Sequence, residues 1–271
     1  MSIHFLIQRR SGVLEQRIFS KFRTIWEISP PLDARASVKS GRESRVGSPF
    51  PEECALVLAV SLSLASDPVA DAADAVIAAG RAAADRRWVP ATSGNFSVRI
   101  DAERAAMTRS GVDKGALTEA DILIQPIDAP LLPRASAEAP LHLALYRRDA
   151  AIGAVFHIHA PASSVLSRII GAGTLTLRGW ELLKAITGIT SHEQAIAVPI
   201  FANDQDTERL SAVVETRFAE AAAAGERLSP GYLLAGHGLY AWGASPREAA
   251  RHLEALETLF DLELSHRRAT P

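Results

Sequence analysis

From residue 67 onward, apolar and polar positions follow first one period and then another, and the switches set out the elements of a layered domain. Asp67-Pro68 reads as an N-cap followed by a first-position proline, ahead of an alanine-rich helix over 69–87 that Trp88-Val89-Pro90 ends. A small, polar loop from residue 91 runs into an alternating strand that reaches residue 100, with 105–108 as its hairpin partner. Thr118 to Asp121 forms a capped turn before a strand over 122–127. Ser136 caps a helix over 137–148 that carries Leu141, His142 and Leu145 on its faces. An apolar strand over 154–160 follows, and Pro161 opens a helix reaching 169. Residues 174–177 alternate as a short strand, and 182–187 are helical. A buried-type strand spans 195–201, before an amphipathic helix over 206–226. Residues 232–242 hold two strand-like segments around a turn at His237. Ser245-Pro246-Arg247-Glu248 starts a last helix through a capping box, with Ala249, His252, Leu253, Leu256, Leu259 and Phe260 at helical spacing. Interleaved strands and helices predict an α/β or α+β layered domain, and no internal repeat is visible.

Residues 1–66 show no such order. The first 50 are richer in basic than acidic residues and keep neither period, and the apolar run 54–65 follows Pro49 and Pro51. Basic, apolar and then small residues outline a secretory signal, although with a long basic region. A loosely ordered extension, or an upstream start that the cell does not use, fits the same stretch. We take 1–66 as a poorly ordered extension and 67–271 as the folded domain.

Composition narrows the chemistry. The chain has 271 residues, 48% of them hydrophobic, which suffices for a sizeable core. A net charge of −2 gives no global field for nucleic acid or anionic lipid. The single cysteine, Cys54, excludes an intramolecular disulfide framework and a thiolate-rich metal site. No apolar run reaches the roughly 18–20 residues that span a bilayer. The expectation is a cytoplasmic protein with no nucleic-acid or membrane partner.

Any metal must then be held by imidazole and carboxylate. His157 and His159 stand two apart on the strand-like run Ala154-Val155-Phe156-His157-Ile158-His159-Ala160. Residues so spaced point to one face, about 6–7 Å apart at Cα. A catalytic zinc site takes three protein ligands and keeps one position open. His237, between Gly236 and Gly238, is the candidate third ligand. Taken alone, the pair fits two unrelated histidines equally well. The loops Thr92-Ser93-Gly94-Asn95 and Arg109-Ser110-Gly111, with Ser136, supply hydroxyl and N–H donors suited to a phosphate. Each loop alone reads as a plain turn, and Lys114 as either the phosphate's cation or a solvated charge. His192 reads as a turn residue, and His142 and His252 as buried or rim residues of their helices.

As an ordered set, several motifs resemble the class II aldolase family over residues 67–265. They are Pro90-Ala91-Thr92-Ser93-Gly94-Asn95-Phe96-Ser97, Thr108-Arg109-Ser110-Gly111-Val112-Asp113-Lys114-Gly115, Ser136-Ala137-Glu138, His157-Ile158-His159, Phe201-Ala202-Asn203-Asp204-Gln205-Asp206 and Gly236-His237-Gly238-Leu239-Tyr240-Ala241-Trp242-Gly243. The resemblance implies a three-layer α/β/α domain with a central, largely antiparallel sheet. It implies one zinc ion per subunit on His157, His159 and His237, and a phosphate held by Ser93, Gly94, Asn95, Ser110, Gly111 and Ser136, to which Lys114 adds a cation. It also implies a homotetramer with active sites between neighbouring subunits. In the family's aldolases the carboxylate matching Glu138 handles protons; in its dehydratases, which this chain resembles most, the glutamate matching Glu181 does. Both are present.

The implied substrate is a small 1-phosphoketose with a carbonyl at C2 and hydroxyls at C3 and C4. A base removes the C3 proton, Glu181 on this reading, and the C4 hydroxyl leaves as water. Two alternatives stay open: a sugar-phosphate aldolase or 4-epimerase of the same fold, and a non-catalytic interaction module like the adducin head. Loss of a ligand would be the expected sign of the latter, and all three histidines are here. Residues 1–66 match nothing expected of the family.

Overall fold

The computed structural model describes residues 67–270. The expected N-terminal extension, its apolar run and the boundary at residue 66 lie outside the described residues.

The chain opens with helix α1 (Pro68–Asp85), capped as its sequence predicts by the Asp67 carboxylate accepting from Val69 N. Strands β1 (Asn95–Arg99), β2 (Arg104–Thr108) and β3 (Ile122–Pro126) follow as an antiparallel meander. Then come α2 (Ala139–Arg148), β4 (Ala154–Ile158), α3 (Pro161–Ile170) and β5 (Gly173–Leu177). The chain closes with β6 (Ile196–Phe201), α4 (Thr207–Ala223), the hairpin β7 (Gly231–Leu234) and β8 (Gly238–Gly243), and α5 (Pro246–Ala269). One eight-stranded sheet results, in the order β3-β2-β1-β4-β8-β7-β6-β5. Only β6 and β7 pair in parallel.

The period of two along each strand sends alternate residues to two cores. Phe96, Phe156, Ile158, Leu233, Leu239 and Ala241 face one side, where residues of α1, α3 and α5 cover them. Met107, Val155, Tyr232, Leu234, Tyr240 and Trp242 face the other, covered by α2 and α4. The three layers and the largely antiparallel sheet are those expected. No helix of the described residues is long and apolar enough to cross a membrane.

Some local expectations shift. The helix expected over 137–148 begins at Ala139, with Glu138 rather than Ser136 at its N-cap. Pro140 sits in its first two positions, where a missing N–H costs nothing, and Ser136 Oγ accepts from Glu138 N just ahead of it. The segment expected to be helical over 182–187 is a single 3-10 stretch, Glu181–Ala185. Ser245 caps α5, but Glu248 reaches the amide of Ala244 rather than that of Ser245, so the capping box is not closed on itself. His159 lies one residue past the end of β4, and its N–H donates to the Trp88 carbonyl.

Register then sets the stage for chemistry. Asn95 on β1 lies opposite His157 on β4, His157 opposite Tyr240 on β8, and Tyr240 opposite Tyr232 on β7. This row crosses four strands on the face that carries α2.

Candidate metal centre

His157 is fully buried, and its ring stacks on Tyr240 at 3.9 Å between centroids. Its Nδ1 meets the Leu239 carbonyl at 3.0 Å. Since that carbonyl can only accept, Nδ1 carries the proton and Nε2 keeps its lone pair. His237 is oriented the same way: its Nδ1 lies 3.2 Å from Asn203 Oδ1. The hairpin turn that brings it in needs glycine at Gly238, where a Cβ would land on the Ile158 carbonyl oxygen. The Nε2 atoms converge, His159 standing 3.0 Å from His157 and 2.9 Å from His237. Glu138 completes the group, Oε1 at 3.0 Å from His237 Nε2 and Oε2 at 3.6 Å from His157 Nε2. One ligand atom from each of the four lies within 4.8 Å of the others.

Three imidazole lone pairs and a carboxylate aimed at one point form the donor set of a divalent metal site, with spacing compatible with nitrogen–metal distances of about 2.0–2.1 Å. Burial holds His157 far below the usual imidazole range, although the Glu138 charge opposes it. Burial and the neighbouring His237 bring His159 to about 4. Burial alone would raise Glu138, but His157, His237 and the Asn95 amide outweigh it and hold the carboxyl well below its usual range. Neutral imidazoles beside an ionised carboxylate are the protonation states a metal requires.

The cluster opens on a cavity of about 270 Å³ lined by Ser93, Gly94, Asn95, Arg109, Ser110, Gly111, Lys114, Ser136, Glu138, His159, Asn203 and His237, among others. Every loop residue that the sequence marks for phosphate lines it. Gly94 has φ +73° and lies so close to β4 that a Cβ would stand 2.6 Å from the His157 carbonyl oxygen. Two of these residues are already engaged. Asn95 Nδ2 donates to Glu138 Oε2 at 2.6 Å and to Ser136 Oγ at 3.2 Å. Lys114, only 1% exposed, donates from Nζ to the carbonyls of Thr92 at 2.6 Å and Val112 at 2.9 Å. Its ammonium ties the two loops together.

Glu181 stands apart from the cavity. It lies on the exposed 3-10 stretch, its carboxylate in contact with Lys184 and 3.5 Å from His192 Nδ1. Within one chain the cluster gathers Glu138 and not Glu181. Arg109, of the phosphate-type loop, also lines the cavity, as does Asn203, which has no expected role of its own. Asn203 sits in the Phe201–Asp206 motif, which was the available signal for it. A larger cleft of about 570 Å³ lies at the opposite strand ends, near Trp242, Arg227 and His252; the only such metal-ligating cluster among the described residues is the one above.

Fold and site together define a three-layer α/β domain with a cluster of three histidines and a glutamate able to hold a metal, and comparison gives it a family. Residues 74–264 match the model of the class II aldolase and adducin N-terminal domain, and the chain belongs to that family. It is 56% identical over 207 residues to a methylthioribulose-1-phosphate dehydratase of Bradyrhizobium sp. strain BTAi1, covering 76% of this chain and 96% of that protein. It is 50% identical over 201 residues to the dehydratase of the same name from Parvibaculum lavamentivorans, covering 74% and 96%. Among solved structures it resembles the L-fuculose-1-phosphate aldolase of Thermus thermophilus, with 30% identity, TM-score 0.57, and coverage of 72% of this chain and 94% of that one.

Proposed function

We propose that this chain is a zinc-dependent lyase that dehydrates 5-methylthioribulose 1-phosphate to 2,3-diketo-5-methylthiopentyl 1-phosphate in methionine salvage, as a cytoplasmic homotetramer with one zinc per subunit. The observation that carries the reading is the meeting of three Nε2 atoms and a carboxylate at the mouth of a cavity walled by serine and glycine loops. High identity to the dehydratases over nearly their whole length supports the choice of reaction. His157, His159 and His237 would hold the ion, which when bound acts as a Lewis acid toward the C2 carbonyl.

The chain's own groups do the rest. Ser93, Gly94, Asn95, Ser110, Gly111 and Ser136 face the phosphate with hydroxyls and N–H groups, and Lys114 holds their loops together and adds its positive charge. Glu181 takes the C3 proton, reaching the site from a neighbouring subunit. The electron pair left at C3 expels the C4 hydroxyl, which departs as water once protonated, and the resulting enol tautomerises to the diketone. No net oxidation occurs. Glu138, held ionised, orients the site, and the proton that Glu181 took from C3 passes to the leaving hydroxyl.

An aldolase is the second reading, favoured by the place of Glu138 within the ligand cluster. Product separates the two. Purified zinc-loaded protein incubated with methylthioribulose 1-phosphate should yield the diketone phosphate; a triose phosphate with an aldehyde instead would establish the aldolase, and neither product would sink both.

A further inference from the structure

Behind the cluster runs a polar seam of which the proposed reaction uses only the end formed by Glu138 and Asn95. Glu138, His142 and Tyr146 recur every four residues from the N-cap of α2 along one face, and they look onto β1, where Asn95, Ser97 and Arg99 share a face. Glu138 meets Asn95 at 2.6 Å. One step along, Ser97 Oγ stands 2.7 Å from His142 Nδ1 and 2.8 Å from Tyr146 OH. At the far end Arg99 donates to the Tyr146 carbonyl and lies over its ring at 4.7 Å. Ser97 and His142 are wholly buried and Tyr146 is 2% exposed. The His142 ring also meets Tyr240 edge to face at 5.7 Å, and Tyr240 is the ring on which His157 stacks.

We infer that His142, through Ser97 and Tyr146, is a positioning residue that fixes the register of α2 on β1 and thereby holds Glu138 against the metal-ligating imidazoles. This role rests on the metal site proposed above and not on its substrate. Apolar side chains of similar shape could fill this seam at no loss of stability, since buried polar pairs rarely outdo them. Hydrophobic packing, however, is non-directional. A helix sliding by one residue moves about 1.5 Å along its axis, enough to break the 2.6 Å bond from Asn95 and the 3.0 Å approach to His237. Hydrogen bonds of 2.7–2.8 Å do not tolerate that slip. Ser97 Oγ also donates to the Val155 carbonyl at 3.4 Å, so one hydroxyl links β4 to His142 and Tyr146 of α2.

The test compares His142→Leu, His142→Asn, Ser97→Ala and Glu138→Gln in the full chain, each loaded with Co²⁺, whose visible absorption reports the arrangement of ligands around the ion. His142→Leu should remain folded and bind one Co²⁺ yet show an altered band, shifted in the same sense as that of Glu138→Gln. Its kcat should fall about 10²-fold, as an ångström of misplacement can produce, with KM changed no more than about twofold. His142→Asn, whose amide keeps a hydrogen-bonding group near the Nδ1 position, should recover the parent band and most of the rate. A His142→Leu protein with the parent's band and kcat overturns the inference. So does loss of the fold in both His142→Leu and Ser97→Ala, which would make the seam a matter of stability. If the parent fails to turn over methylthioribulose 1-phosphate, the proposed function falls, while the Co²⁺ bands still decide the role of His142.

Discussion

Replacing Lys114 with methionine separates two uses of a buried ammonium. Methionine keeps the length and apolar stem but cannot donate, so the carbonyls of Thr92 and Val112 lose their shared partner. Two charge-assisted hydrogen bonds are worth about 1.5–3 kcal/mol each, setting a ceiling of about 3–6 kcal/mol. Relief from burying a charge offsets part of this; burial already lowers the Lys114 pKa, against the opposing charges of Asp113 and Glu138. A net loss of about 2–3 kcal/mol remains, and in a domain of this size each kcal/mol moves Tm by about 2–4 °C. The expected Tm drop is therefore about 4–12 °C in calorimetry of the zinc-loaded protein. KM for the phosphorylated substrate should rise with it, because loops 91–95 and 109–114 lose their tie, while zinc stoichiometry holds. An unchanged Tm with a raised KM would mean that the ammonium serves the phosphate alone, and would refute a structural role for its two carbonyl bonds.

Glu181→Gln should lower kcat by about 10²–10⁴-fold with zinc retained and Glu138→Gln should be milder; the reverse ranking in steady-state kinetics would favour the aldolase mechanism. Asn203→Ala frees the Nδ1 side of His237 and should weaken zinc about 10–100-fold in chelator competition, an effect that an unaltered affinity would disprove. The metal-free domain should lose stability as pH falls from about 6.5 to about 4. Burial, opposed by Glu138, lowers His142 to about 4, and His159 is lowered alike. The unfolded chain then binds more protons than the folded one across that window, so stability is complete above it and declines within it. His142 alone accounts for about 3 kcal/mol, and a urea midpoint equal at pH 7 and pH 4.5 would contradict this.

The sequence by itself determined the elements and most of their ends. Asp67-Pro68 and Ser245-Pro246 cap helices through contacts within three residues, and such contacts are written into local order. Strand spacing likewise assigned His157 and His159 to one face, and their Nε2 atoms meet at 3.0 Å. The motif set placed His157, His159, His237 and the serine loops at one site because each motif is local and the resemblance supplied their meeting. Other features waited for the sheet. The bond from Asn203 to His237 joins residues 34 apart, that from Asn95 to Glu138 residues 43 apart, and that from Ser97 to His142 residues 45 apart. Lys114 reads in sequence as a free cation, and only the packing of two loops brings the carbonyl of Thr92 to its Nζ. Periodicity reports which face a residue takes but not which residue of another element stands opposite. That choice belongs to register, and register is decided by the whole sheet closing on two cores at once.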